Sequence, residues 1–193
     1  MAEPAPTVTP RQSDLFRLGA GLYLLLALAG VAWIGWRRRA VPIALFLPLR
    51  PDGWLDPLLG IAGAALLLGS WALLRRLSAL ARTLEAHIRE RLGPLAVHEA
   101  YGLALLSGVA EEVFFRGALQ PASRYALATL LFAALHTGRG RELLLWSASA
   151  LVAGALLGAL MLWRGNLCAP IVCHVLVNAV QLRRLLAPPA AAS

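Results

Sequence analysis

The sequence contains no lysine and only two cysteines, Cys168 and Cys173. Two cysteines are too few for a disulfide framework, and inside an apolar run they are most simply small buried residues. HExxH, CxxC and P-loop motifs are also absent, so none of these signatures indicates a zinc, redox or nucleotide site. We therefore predict no cofactor.

Negative charge is scarce relative to positive charge. All 18 basic residues are arginine, against 10 acidic residues, and the net charge is +8. Such a balance could suit nucleic acid, but the arginines cluster at the ends of apolar runs, as at residues 37–39 and 75–76. Arginines in those positions meet anionic lipid headgroups and influence topology. We predict contact with membrane lipids and no nucleic-acid binding.

Apolar residues make up 59% of the 193 residues, and the mean hydropathy is +0.68. The excess over a soluble domain falls into runs about as long as a bilayer is thick. The sequence thus predicts an all-α, multi-pass transmembrane helix bundle, and the Arg-, Ala- and Leu-rich composition suggests a bacterial inner (plasma) membrane. About six membrane helices are predicted, at residues 18–36, 55–74, 95–115, 125–136, 143–163 and 167–182.

Two of these runs carry further information. The fourth is short for a crossing unless it begins near residue 121. The fifth contains Gly154 and Gly158 in a GxxxG pattern, which permits close helix packing.

The chain divides into four parts. Residues 1–17 are proline-rich and predicted to be a disordered tail, and residues 187–193 form an Ala/Pro-rich tail. Residues 18–94 hold two membrane helices and an amphipathic segment, 75–92, that we expect to lie on the membrane surface. Residues 95–186 form a helix bundle that contains all the candidate site residues.

Two adjacent glutamates, Glu111 and Glu112, interrupt the third apolar run. An ionisable residue at a helix centre costs about 2.5–3.5 kcal/mol on insertion scales. Glu112 and Arg116 are one helical turn apart and can pair, whereas Glu111 points about 100° away and stays free for chemistry. The alternative is that both glutamates lie among headgroups at the membrane boundary, but the apolar residues 113–115 that follow argue against it.

Polar residues also interrupt two other runs. His136 ends the fourth, and His174 and Asn178 share one helix face of the sixth. A single buried histidine is more often a satisfied core residue. Buried polar side chains on three spans, however, seek one another because lipid offers them no partner. We therefore predict one interior cluster of six residues: Glu111, Glu112, Arg116, His136, His174 and Asn178.

This set of side chains fits hydrolysis. A carboxylate and an imidazole that bracket a water can deprotonate it for attack on a peptide carbonyl. A second imidazole and an amide can donate hydrogen bonds to the resulting oxyanion. Ser107, one turn before Glu111, could be proposed as a nucleophile but is more simply a packing residue. A Glu/His/His site could also hold zinc, so the residue types leave a metal mechanism open.

Three motifs in order resemble the CPBP family, the CAAX-protease and bacteriocin-processing (Abi) group of intramembrane glutamic proteases. The resemblance covers roughly residues 95–182. It rests on Glu111-Glu112-x-x-x-Arg116, Phe132-x-x-x-His136, His174-x-x-x-Asn178 and Asn166-Leu167-x-x-Pro170-Ile171.

The resemblance implies an intramembrane endopeptidase with a polar cavity inside the helix bundle. It makes Glu111 the general base and gives His136 the task of orienting and activating the water. His174 and Asn178 would form the oxyanion hole, with support from Glu112 and Arg116. Because the family is regarded as metal-independent, the resemblance implies no metal.

The substrate implied is a membrane-associated protein or peptide, cut near its membrane-embedded or C-terminal region. Eukaryotic relatives trim prenylated CAAX tails, and bacterial relatives are linked to peptide processing, self-immunity and removal of C-terminal membrane anchors. The small size and arginine-rich composition are compatible with this last, myxosortase-like branch.

Two other classes of function use the same residues. A non-catalytic immunity or partner-binding protein could use the same cavity. Intramembrane carboxylates also mark proton paths in transporters, although six short spans with no internal repeat disfavour transport.

Overall fold

The computed structural model describes residues 10–92, 95–138 and 140–186, without the side chains of 10–13 and 15. Every regular element in these ranges is helical, which confirms the predicted all-α class. A 3₁₀ turn, Ile43–Leu45, follows the first helix, and a π-helical segment, Val113–Leu119, joins α4 to α5. The α-helices are α1 (Pro10–Arg38), α2 (Leu55–Leu77), α3 (Ala79–Leu92), α4 (Val97–Glu112), α5 (Gln120–Ser123), α6 (Tyr125–Leu135), α7 (Arg141–Arg164) and α8 (Cys168–Leu186).

Four helices are long and apolar enough to cross a membrane: Phe16–Arg38 within α1, and the whole of α2, α7 and α8. The predicted multi-pass helical architecture is therefore confirmed. Helix α6 has 11 residues, or about 16 Å, well short of a bilayer core of about 30 Å. It does not begin near residue 121, because Arg124, with a φ of 83°, separates it from α5.

The helix formed by the third predicted run continues past residue 115, where that run was expected to end. The backbone stays helical from Val97 to Ser123, and within it the N–H of Gln120 bonds to the carbonyl of Phe115, five residues earlier. Such π-helical turns occur frequently at functional sites. This turn changes the direction of the side chains that follow the two glutamates.

Helix α8 lies between α2 and α4, and glycines allow the close approach. A Cβ on Gly60 of α2 would lie 2.6 Å from the carbonyl oxygen of Ala169. On Gly108 of α4 it would lie 2.9 Å from the backbone nitrogen of Val175. Small residues at these contacts bring three helix backbones together around α8.

The GxxxG pair of α7 allows close packing, and the helix that it approaches is α6. A Cβ on Gly154 would be 3.0 Å from a ring carbon of Phe132, and one on Gly158 would be 2.8 Å from the ring of Tyr125. The absence of side chains also exposes the two glycine carbonyls. Arg116 and Gln120 donate hydrogen bonds to them.

Helix α3 lies within the predicted amphipathic segment, and its position at the membrane surface stays a prediction. It packs against α2, α7 and α8, and its apolar residues Ala81 and Leu84 are buried in these contacts. Leu80 of α3 and Leu77, the last residue of α2, remain exposed. The apolar face is thus covered mainly by protein, because the bundle offers it a matching apolar surface.

A glutamate holds α3 in place. Glu85 accepts a hydrogen bond from Trp71 Nε1 at 2.8 Å and pairs with Arg75 at 3.4 Å, both on α2. It also lies 3.5 Å from Arg184 at the end of α8. The sequence pattern had placed Glu85 on the polar face, and only the tertiary contacts give it this bridging role.

The boundary of the N-terminal tail also needs correction. Helix α1 begins at Pro10, so residues 10–17 are helical although the predicted tail extended to residue 17. Proline suits a first helical turn because no partner is needed for its missing N–H. Phe16 also packs at Gly102 of α4. The remaining tail residues, 1–9 and 187–193, and the predicted helix end at 93–94 lie outside the described residues.

Candidate active site

A cavity of about 680 Å³ lies inside the helix bundle, with walls from α2, α3, α4, α7 and α8. Its lining is mostly apolar, and α3 contributes Leu84 and Ile88 to it. Four polar residues predicted to meet line this one cavity: Glu111, His136, His174 and Asn178. These four residues, together with Glu112 and Arg116, which do not line the cavity, are called the cavity cluster.

Glu112 and Arg116 form the ion pair predicted from their spacing. Arg116 Nη1 donates to Glu112 Oε1 at 3.0 Å, and both side chains are almost completely buried. Arg116 Nη2 donates to the carbonyl of Gly154 at 3.2 Å, and its guanidinium lies 4.3 Å from the ring centre of Phe132. The pair is therefore fixed from α7 and α6 as well as from its own helix.

The same oxygen of Glu112 has a second partner that the sequence did not indicate. Glu112 Oε1 lies 2.7 Å from His174 Nδ1. A carboxylate only accepts, so Nδ1 carries the hydrogen of this bond. Glu112 thereby fixes the orientation of the His174 ring and leaves its Nε2 facing the cavity.

Glu111 points into the cavity from α4. Its Oε2 lies 3.9 Å from His174 Nε2. Within the described part of the chain this oxygen has no hydrogen-bond partner, although it is buried. A buried acceptor without a partner is costly, and an intramembrane carboxylate is a candidate for function by default.

His136 is the first residue after α6, and three contacts hold it. Its Nδ1 lies 2.8 Å from the carbonyl oxygen of Phe132, while Ser147 on α7 donates to the His136 carbonyl at 2.9 Å. The ring also meets Trp146 edge to face, with the centres 5.6 Å apart. Since the Phe132 carbonyl can only accept, Nδ1 carries the proton and Nε2 keeps a free lone pair.

Asn178 contacts a residue outside the predicted cluster. Its Nδ2 donates to Ser107 Oγ at 2.9 Å, and Ser107 Oγ donates to the carbonyl of Ala104 at 3.3 Å. Ser107 is buried and lines the cavity. The packing interpretation of Ser107 is thus incomplete, because its hydroxyl has a polar partner on α8.

A second polar cluster, here called the loop cluster, was not predicted and consists of Asp52, Asp56, Arg164 and Asn166. Asp56, Arg164 and Asn166 are buried, whereas the Asp52 side chain is 38% exposed. Arg164 Nε pairs with Asp56 Oδ1, and its Nη1 donates to Asp52 at 3.0 Å. Asn166 donates to the other Asp56 oxygen at 2.7 Å and accepts from the N–H of Cys168 at 2.9 Å, so it caps α8.

The loop cluster serves the fold. None of its four residues contributes to the cavity lining. The hydrogen bond from Arg164 lowers the pKa of Asp52 from its ordinary value of 3.8. The sequence signals were Asp52 and Asp56 in a proline-rich loop and Asn166 in one of the resemblance motifs, and neither indicates that residues more than 100 positions apart are partners.

The donor geometry does not strengthen the zinc alternative. Across the three described ranges, no group of three or more His, Cys, Asp or Glu side chains is arranged to hold a metal ion. Metal independence stays a prediction.

Comparison with known proteins identifies relatives of this region. Residues 93–180 match the family model described as Type II CAAX prenyl endopeptidase Rce1-like. The uncharacterized protein YpbD of Bacillus subtilis (strain 168) is 41% identical over 80 residues, or 40% of this chain. The chain spans about two fifths of the length of YpbD. No solved structure gives a significant match.

The family match covers the whole cavity cluster, from Glu111 to Asn178. The resemblance predicted from the motifs is thereby confirmed over this segment.

Proposed function

We propose that this protein is an intramembrane glutamic endopeptidase that uses an activated water. The proposal builds on residues 93–180, which match the Rce1-like family, because this family implies a CAAX-type membrane protease acting on a protein substrate. One observation carries the proposal: Glu111 of α4, His136 at the end of α6, and His174 and Asn178 of α8 line one cavity. No covalent nucleophile is required.

Glu111 and His136 activate the water. Glu111 is the general base. This role is consistent with its buried Oε2, which accepts no hydrogen bond from the described residues. His136 accepts a hydrogen bond from the same water through Nε2, because its Nδ1–H is committed to the Phe132 carbonyl. Between the two acceptors the water oxygen is directed at a peptide carbonyl.

His174 and Asn178 stabilise the oxyanion. In this role His174 is the imidazolium, with Nδ1–H on Glu112 at 2.7 Å and Nε2–H directed into the cavity. Glu112 is shared between that ring and Arg116, and Glu111, 3.9 Å from Nε2, supplies the second negative charge. The second hydrogen of Asn178 Nδ2 is the other donor.

The proposed hydrolysis proceeds in two steps, addition of water and expulsion of the amine. The water oxygen bonds to the carbonyl carbon while its proton moves to Glu111. The tetrahedral intermediate then expels the amine, which takes that proton as the C–N bond breaks. Glu111 returns to the carboxylate, and the products are a new carboxyl terminus and a new amino terminus.

The cavity and the outer surface fit a substrate within a bilayer. Apolar walls suit a membrane-associated protein or peptide, which we place with its membrane-embedded or C-terminal region in the cavity. Outward-facing leucines such as Leu22 and Leu25 suit contact with membrane lipids. The bacterial relative supports a bacterial plasma-membrane location.

The test compares the termini of membrane proteins, by mass spectrometry, between cells with the wild-type chain and cells with Glu111→Gln. Glu90→Gln, an exposed glutamate of α3, is the matched control. We expect a defined set of proteins to keep uncut tails only with Glu111→Gln. Unchanged termini at equal protein levels would contradict the proposal and favour the immunity or partner-binding alternative.

Metal independence has its own test. Cleavage of these termini in isolated membranes should continue at an unchanged rate with EDTA or 1,10-phenanthroline. Loss of cleavage that added zinc restores would return the mechanism to the metal alternative.

A further inference from the structure

Two side-chain contacts cross between α4 and α8, one helical turn apart. The first joins Glu111 Oε2 to His174 Nε2 at 3.9 Å. The second joins Ser107 Oγ to Asn178 Nδ2 at 2.9 Å. In each helix the two residues are four positions apart, so both contacts lie on the same pair of faces, toward the cavity. Ser107 is the one member of these four that the proposed mechanism does not use.

The other hydrogen bond of Ser107 influences whether the NH₂ group or the oxygen of the Asn178 amide faces its hydroxyl. Its hydroxyl hydrogen is directed to the Ala104 carbonyl at 3.3 Å. The oxygen therefore offers only lone pairs to α8, and an amide oxygen turned toward it would meet another acceptor. The hydrogen bond to Ala104 therefore favours the NH₂ group at this position over the flipped amide.

The orientation matters for the proposed reaction. With Nδ2 on Ser107, one N–H is bonded and the other is left for a ligand in the cavity. A flipped amide would present Oδ1, whose lone pairs repel an oxyanion. A misdirected donor loses stabilisation in the transition state while substrate binding is little affected.

We infer that Ser107 is a positioning residue, which holds the Asn178 amide with its N–H directed at the oxyanion. This inference rests on the proposed function. Ser107 takes no part in bond making: its hydroxyl bonds to a backbone carbonyl and an amide, with no histidine in contact among the described residues to act as its base.

The test uses the purified full-length chain in detergent micelles. The probe is a fluorogenic peptide that spans the terminus most changed by Glu111→Gln. Ser107→Ala removes one oxygen without adding bulk. We expect kcat to fall about 5- to 30-fold with KM unchanged, less than the roughly 100-fold loss from removing an oxyanion donor outright in Asn178→Ala.

A double variant, Ser107→Ala with Asn178→Ala, distinguishes a positioning role of Ser107 from its other possible roles. In the Asn178→Ala background, Ser107→Ala should cause no further loss, because there is no amide left to orient. An equal loss in both backgrounds, a rise in KM alone, or wild-type kcat in Ser107→Ala would overturn the inference. So would complete inactivation by Ser107→Ala, which would indicate a nucleophile.

Failure of this inference differs from failure of the proposed function. If the wild-type chain cleaves the probe and Glu111→Gln does not, the proposed function stands whatever Ser107→Ala does. If Glu111→Gln cleaves the probe normally, both fail.

Discussion

The cavity cluster and the loop cluster contain similar groups and use them differently. Each holds a buried carboxylate beside an arginine and involves α8 or its cap. In the loop cluster both oxygens of Asp56 have partners, one from Arg164 and one from Asn166, and the Asp52 oxygen that lacks a hydrogen bond is paired with Arg50 at 3.2 Å. In the cavity cluster one oxygen of Glu111 and one of Glu112 are buried with no partner among the described residues. A satisfied network stabilises a fold, whereas an open acceptor costs stability and is available for chemistry.

Matched amide substitutions give the largest contrast between the clusters. Asp56→Asn should reduce the free energy of unfolding by about 3–5 kcal/mol, because Arg164 and Asn166 both lose a carboxylate partner in a buried site. Glu111→Gln should cost little stability, since its buried oxygen accepts no hydrogen bond from the described residues and lies 3.9 Å from His174 Nε2, yet it should abolish processing. Thermal unfolding in detergent and terminal mass spectrometry measure the two effects. Equal loss of stability in both variants would remove the distinction.

Within the cavity cluster, Arg116→Ala should lower stability by about 2–3 kcal/mol and reduce expression. Glu112 would lose its arginine but keep His174, so the loss should be smaller than for Asp56→Asn. Arg76→Ala, an exposed arginine on α2, is the control, and membrane yield with melting temperature is the measurement. Normal yield and stability of Arg116→Ala would show that the pair is not required.

The spacing of α4 and α8 can be changed without touching a polar group. Gly108→Ala would place a methyl group 2.9 Å from the Val175 nitrogen, which we expect to cost about 1–3 kcal/mol by overpacking. Separating the helices should also lengthen both cross-helix contacts and slow processing more than tenfold. Gly69→Ala on α2, where nothing lies within 4 Å, should have no such effect. Wild-type processing by Gly108→Ala would contradict the need for this close approach.

The smallest effect concerns pH and the loop cluster. The pKa of Asp52 is lowered from 3.8 by its hydrogen bond to Arg164. The stability from its charged form is therefore fully present above about pH 4 and lost as the pH falls through the lower, folded-state value. Melting temperatures between pH 6 and about pH 3 should decline more for the wild type than for Asp52→Asn. Parallel curves would show that Asp52 contributes nothing.

The sequence predicted contacts within one helix better than contacts between helices. Glu112 and Arg116 form the expected pair because a four-residue spacing fixes their relative direction. The same spacing placed His174 and Asn178 on one face, and both line the cavity. It could not indicate that Glu112 also binds His174, 62 residues away, because no local rule relates two separate helices.

Boundaries and interfaces were the least predictable features. The π-helical segment 113–119 has no periodic signal, since it adds one residue to a single turn. Helix α3 has an amphipathic pattern that suits a membrane surface and a protein surface equally, and here the bundle covers it.

The sequence by itself determined that this chain is a helical membrane protein, that one segment of it resembles the CAAX proteases, and which polar residues interrupt its apolar runs. Hydropathy and helical period are local properties, so they do not depend on how the helices are arranged. Only the tertiary structure decided the partners between helices, such as His174 for Glu112 and Ser107 for Asn178, and which carboxylate oxygens are left without one among the described residues. Those outcomes depend on how closely α8 approaches α2 and α4 at Gly60 and Gly108, a distance set by packing between segments far apart in the chain.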